Sequence, residues 1–94
     1  MPRAKFNGET IADSDKVIEL EGNVYFPEES VRVDYLRESE ERTSCPWKGD
    51  ACYYNVVVGD QTAENAAWSY QEPKPKANQI KGHIAFWNGV TIED

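Results

Sequence analysis

The 94 residues carry ten Lys and Arg against seventeen Asp and Glu, a net charge of −7 at neutral pH. A single domain of this length buries a real but small core, so most of the three Trp, five Tyr and three Phe are needed for packing. The acidic balance excludes nucleic acid as the natural partner, because phosphate binding needs clustered Lys and Arg, and it disfavours an anionic membrane surface.

No apolar run approaches the length of a membrane span. The opening Met1-Pro2-Arg3-Ala4 carries no hydrophobic signal segment, so a cytoplasmic location with Cys45 and Cys52 as reduced thiols is expected. Two Cys and one His cannot complete a four-ligand zinc site without carboxylates, so no metal and no other cofactor is expected.

Lys5-Phe6-Asn7-Gly8-Glu9-Thr10-Ile11 opens the chain with a hairpin signal, since Asn-Gly supplies both positive-φ positions of a type I′ turn. Phe86-Trp87-Asn88-Gly89-Val90-Thr91-Ile92 repeats the device near the other end and predicts a second hairpin. Asp13-Ser14-Asp15-Lys16 is a turn by composition. Val17–Leu20 and Val24–Phe26 are short strands about the turn Glu21-Gly22-Asn23. Pro27 followed by Glu28 and Glu29 suits the first turn of a helix, and Val31 and Tyr35 share a face at i, i+4. A short helix over Glu28–Leu36 is therefore expected, with Arg37–Glu41 a charged, exposed loop. Val31, Val33 and Tyr35 also alternate as a strand would, but the start signals favour the helix.

Arg42–Ser44 is an extended lead-in to Cys45-Pro46-Trp47-Lys48-Gly49. Pro46 holds Cys45 extended, and Gly49 permits a turn that a side chain resists. Such a loop presents a thiol, an indole and an ammonium together. Trp47 and Lys48 either face a cleft, or Trp47 caps the core with Lys48 lying over a ring as a cation–π pair. Ala51–Val58 is the strongest strand, its even positions Cys52, Tyr54, Val56 and Val58 facing the core and its odd positions, with Tyr53, the other surface. Gly59-Asp60 is a turn. In the strand Asn65–Tyr70, alternation sets Trp68 and Tyr70 on one face. Pro75 starts a single helical turn through Ile80. The final strand puts Ile84 and Phe86 on one side and His83, Ala85 and Trp87 on the other. The sum is an all-β single domain over residues 1–94 with one or two short helices, a small antiparallel sandwich or open barrel.

The segments Glu21-Gly22-Asn23 with Tyr25-Phe26-Pro27, Cys45-Pro46-Trp47-Lys48-Gly49 with Tyr53-Tyr54, Ala67-Trp68 with Tyr70 and Pro73, Ile80-Lys81-Gly82 and Ala85-Phe86-Trp87 resemble the domain of unknown function 427 family over essentially the whole chain. That family has also carried the label nucleotidyltransferase-like domain. The resemblance implies a small cytoplasmic all-β protein with a β-tent-like arrangement, and no established reaction. Its recurring positions fall here on Tyr25, Cys45, Trp47, Lys48, Tyr53, Trp68, Tyr70 and Lys81. Cys52 departs from the pattern, in which a small polar residue is usual. The Cys-x-x-Cys pairs of zinc-binding β-tent relatives are missing from this sequence.

These eight residues are the candidate site. The leading expectation is a binding module in which Trp47, Tyr53, Trp68 and Tyr70 line a cleft and Lys48 and Lys81 hold a small anionic ligand. One alternative is that the aromatics are simply the core. Another is an enzyme using Cys45, activated by Lys48, or Lys48 itself. Nucleotidyl transfer draws little support, since Asp13 and Asp15 are the only close acidic pair in a suitable setting and no phosphate-binding glycine loop is present. A homodimeric interaction protein, pairing through strand edges and surface aromatics, is the remaining alternative to a monomer.

Overall fold

Asn7 and Gly8 take φ angles of 51° and 80°, the left-handed pair of a type I′ turn, and fold the strand β1 (Arg3–Phe6) onto β2 (Glu9–Asp13). Glu21 and Gly22 do the same, at 55° and 80°, between β3 (Ile18–Leu20) and β4 (Asn23–Phe26). The computed structural model describes residues 1–94 and adds the long strands β5 (Leu36–Cys45), β6 (Gly49–Val58) and β7 (Gln61–Ser69), then β8 (Ile84–Phe86) and β9 (Thr91–Glu93). They form two open antiparallel sheets, one ordered β2-β1-β9 and one ordered β3-β4-β8-β7-β6-β5. The expected all-β architecture with short antiparallel strands is thus present as a two-sheet structure, not a closed barrel.

Two cores explain how so short a chain buries so many aromatics. The first joins the sheets: Ala4, Ile11 and Ala12 of the small sheet pack with Phe26, Val56, Val58, Ala67, Ile84 and Phe86 of the large one. The second lies on the other face of the large sheet and gathers Tyr25, Ala51, Trp68, Tyr70 and Ala85 under the 3₁₀ segment Pro75–Ile80, which contributes Ala77 and Ile80. Successive residues on β4, β7 and β8 point to opposite faces, so Tyr25 and Phe26, Ala67 and Trp68, and Ile84 and Ala85 divide between the cores. The expected split of β8, with Ile84 and Phe86 opposite Ala85, is what the structure has.

Four expectations are corrected. Residues 28–36 form no continuous helix: the acidic start makes one 3₁₀ turn, Glu28–Ser30, and a second spans Val33–Tyr35. Between them Val31 is extended and bridges Ala12, while Arg32 N–H donates to the Ile11 carbonyl at 2.8 Å, so pairing with β2 overrides the local helical signals. Residues 37–41 are not a loop but the first half of β5. Their side chains are largely exposed as expected, yet the backbone pairs with β6 up to an irregularity between Glu38 and Arg42.

Asn88 and Gly89 do take positive φ, but they join no hairpin, because β8 runs in the large sheet and β9 pairs with β1 in the small one. Finally, one face of β6 does not hold all its buried residues. Val56 and Val58 lie in the first core and Ala51 in the second, since at that end of β6 the outer face is covered too.

Candidate functional site

The register of the large sheet lines up Tyr25, Ala85, Trp68 and Tyr53 as successive cross-strand partners on β4, β8, β7 and β6. Directly opposed residues share a face, so the row is a band of aromatics interrupted by one methyl group. The small Ala85 lets the rings beside it meet: Tyr25 and Trp68 stand edge to face, centroids 6.2 Å apart at 87°. Tyr53 lies 6.4 Å from Trp68 at a tilt of 34°.

A fourth ring completes the arrangement. β7 carries an extra residue pair opposite Tyr54–Val56, where Asn65 adopts φ 53° and donates its N–H to the Asn55 side chain at 2.8 Å. That bulge turns two carbonyls toward Trp87. The Asn65 carbonyl accepts the Trp87 Nε1–H at 2.6 Å, and the Ala66 carbonyl accepts its backbone N–H at 2.9 Å. Trp87 is 52 % exposed, yet it is held perpendicular to Trp68 at 6.3 Å and 88°. Asn23, Tyr53, Trp68 and Trp87 line an open groove of about 250 Å³.

The polar ends of the rings are already used. Trp68 Nε1–H donates to Tyr25 Oη at 3.3 Å, and Tyr53 Oη lies 3.1 Å from Thr43 Oγ1. Of the four side chains lining the groove, only the Asn23 amide makes no hydrogen bond within the protein.

Beside this groove the loop Pro46–Lys48 crosses the end of β5 and β6. Lys74 clamps it twice, its N–H donating to the Lys48 carbonyl at 2.9 Å and its Nζ to the Pro46 carbonyl at 2.7 Å. Lys48 is 7 % exposed. Its ammonium pairs with Glu21 and lies 5.5 Å from the Trp47 ring centroid and 5.6 Å from that of Tyr70. Trp47 Nε1–H also donates to Glu21, at 3.3 Å. Lys48 thus takes the cation–π arrangement, doubled, with a carboxylate at its head.

The electrostatics follow from this contact. Burial alone would lower the Lys48 pKa; the hydrogen bond its ammonium donates to Glu21, helped by the fields of Tyr25, Tyr70 and Glu21, outweighs it, and the result is a rise above 10.5. The Glu21 carboxyl is held below 4.5, first by its hydrogen bond to Lys48. Burial raises the Tyr70 phenol above 10.0, only partly countered by Lys48.

Of the eight candidate residues, Tyr25, Cys45, Tyr53, Trp68 and Tyr70 belong to or pack against the second core, and Lys48 joins it over Tyr70, with Trp47 on the same ammonium. Lys81 does not join them through its side chain. Its backbone bridges Tyr70, but its side chain is exposed and forms no ion pair. Cys45 and Cys52 are free and half-buried. No three His, Cys, Asp or Glu side chains cluster to hold a metal ion. Asp13 ends β2 in the small sheet, which packs on the opposite face from the aromatic row.

Two groove residues, Asn23 and Trp87, lie outside the candidate set. The alternation of Ala85 with Trp87 points to the second; for Asn23 the sequence offers only its place in the Glu21–Asn23 turn.

Fold and site together define a small, open, two-sheet antiparallel β protein with an aromatic-walled groove on its larger sheet. Residues 2–93 match the family model described as Domain of unknown function (DUF427), and the chain belongs to that family. No curated protein matches the chain.

Proposed function

We propose that this protein is a small-molecule binding module whose ligand sits in the groove of Asn23, Tyr53, Trp68 and Trp87. The observation that carries this reading is the exposed Trp87 ring, fixed by two hydrogen bonds at right angles to Trp68 with nothing packed on its open side. A half-exposed indole locked in one orientation is a ready-made apolar wall, and a few polar groups beside such a wall are the usual make-up of a ligand pocket. The anion expected from Lys48 and Lys81 loses its support here, since the Lys48 charge is met by Glu21 and Lys81 stands apart in solvent. The reading therefore keeps the aromatic half of the cleft and leaves out the lysine half.

Pairing of two copies through β5 is weakened by the charged side chains and broken register of that edge. An intracellular setting for the ligand is part of the same proposal. The test is tryptophan fluorescence and amide-resonance titration with a panel of small aromatic, sugar and ammonium compounds. Saturable changes at Trp68 and Trp87 that vanish in Trp87→Ala are expected. A panel with no binder, or binding unmoved by Trp87→Ala, overturns the reading, and a mass that doubles with concentration in its place points to self-association.

A further inference from the structure

We infer that the group seated in this groove is a small quaternary or trimethylated ammonium belonging to a free small molecule, an inference that rests on the binding role proposed above. Three observations point to it. The first is shape. Trp87 stands at 88° to Trp68 and Tyr53 at 34°, so the walls turn around a corner. A flat ring can stack on only one such wall, whereas a rounded head of methyl groups touches all three.

The second is chemistry. The indole and phenol hydrogen-bonding ends are satisfied by Asn65, Tyr25 and Thr43, so what the rings have left for a ligand is their carbon surface, whose faces attract cations through the ring quadrupole. A quaternary ammonium needs no hydrogen-bond acceptor and suits a site that supplies none beyond the Asn23 carbonyl oxygen.

The third is charge. No Lys, Arg or His lines the groove, the nearest buried cation is balanced by Glu21, and the chain carries −7 overall, which favours a cation on approach. The same sheet face already holds one cation over two rings, at 5.5 and 5.6 Å, in Lys48.

The experiment titrates the intact protein with choline, with its uncharged isostere 3,3-dimethyl-1-butanol, and with a trimethyl-lysine peptide, following tryptophan fluorescence and the Trp87 Nε1–H resonance. Choline binding about tenfold tighter than the isostere is expected, the gain of two or three ring contacts of modest strength. Trp87→Leu, which keeps an apolar wall without a π face and alters a half-exposed position, is expected to cut that preference about two- to fivefold, the share of one ring contact, while the isostere binds as before.

Equal affinity for choline and the isostere overturns the ammonium assignment but leaves the groove a binding site. No response to either, with none from the wider panel, overturns both. Binding of the peptide without choline overturns the small-molecule source.

Discussion

Replacing Lys48 with Met removes one charge, and with it the ammonium over Trp47 and Tyr70, but keeps most of the apolar stem. Each of the two ring contacts is worth about 0.5–1 kcal/mol even on the scale of exposed sites, so their loss costs at least about 1–2 kcal/mol. The pair with Glu21 adds to this, at a discount, because Glu21 is about half exposed and water screens it. Against the loss stands relief from burying an ammonium that is only 7 % exposed, which has its own desolvation cost.

The Lys48 pKa is raised despite burial, chiefly through the hydrogen bond to Glu21, so the folded state favours the charged form at this position and the ring contacts add to that preference. For a domain of this size each kcal/mol moves Tm by about 4–8 °C. Lys48→Met is therefore expected to lower Tm by about 5–15 °C with the far-ultraviolet spectrum unchanged, read by thermal unfolding under circular dichroism. An unchanged or higher Tm refutes the reasoning, since it would mean that desolvation of the ammonium outweighs both rings.

The remaining predictions follow from neighbouring contacts. The Glu21 carboxyl titrates below its ordinary 4.5, so the folded protein binds fewer protons than the unfolded chain between those values. Its stabilisation is full above that range and lost as pH falls through the folded pKa. The difference in Tm between the protein and Glu21→Gln is expected to be constant near neutrality and to close in acid. The Lys48 contribution, with its pKa raised above 10.5, is complete below that value and is lost as pH rises through the folded one, so Lys48→Met and the parent should converge in strong base.

Gly49→Ala places a side chain at φ 110°, with its Cβ 3.4 Å from the Glu72 carbonyl oxygen. A loss of about 1–3 kcal/mol in urea unfolding is expected. Trp68→Ala empties the centre of the second core and should cost about 3–5 kcal/mol, while Trp87→Ala, at a half-exposed position, should cost far less. Similar losses from the two would place Trp87 in the core instead of on the groove.

Local chemistry was readable wherever it acts over a few residues. Asn7-Gly8 wrote its hairpin, and Pro75 marked the start of a helical segment, which the structure makes as two short 3₁₀ turns kinked at Ala77 rather than one. The spacing of Trp68 and Tyr70, and of Ala85 and Trp87, assigned each pair a common face. Pro46 and Gly49 marked a shaped loop with Trp47 and Lys48 on it, and the double cation–π contact of Lys48 is one of the two outcomes that loop allowed.

A long-range partner overrides the local signal at two places. Val31 has acidic helix-starting residues before it, yet it is drawn into a bridge with Ala12, nineteen positions earlier. Asn88-Gly89 makes its turn, but β1 claims the strand that follows, and nothing in seven residues says which sheet will receive it.

The groove belongs wholly to tertiary structure. Its floor exists because Tyr25, Ala85, Trp68 and Tyr53 meet in register across four strands, and its wall exists because a bulge at Asn65 offers two carbonyls to Trp87. Likewise, Glu21 and Lys48 stand 27 positions apart, so only folding reveals that the charge available for an anion is already answered. A sequence fixes which side chains can share a face, through the periodicity of its strands. Which faces gather into one surface depends on strand order and register, and these are decided by the summed pairing and burial of the whole chain.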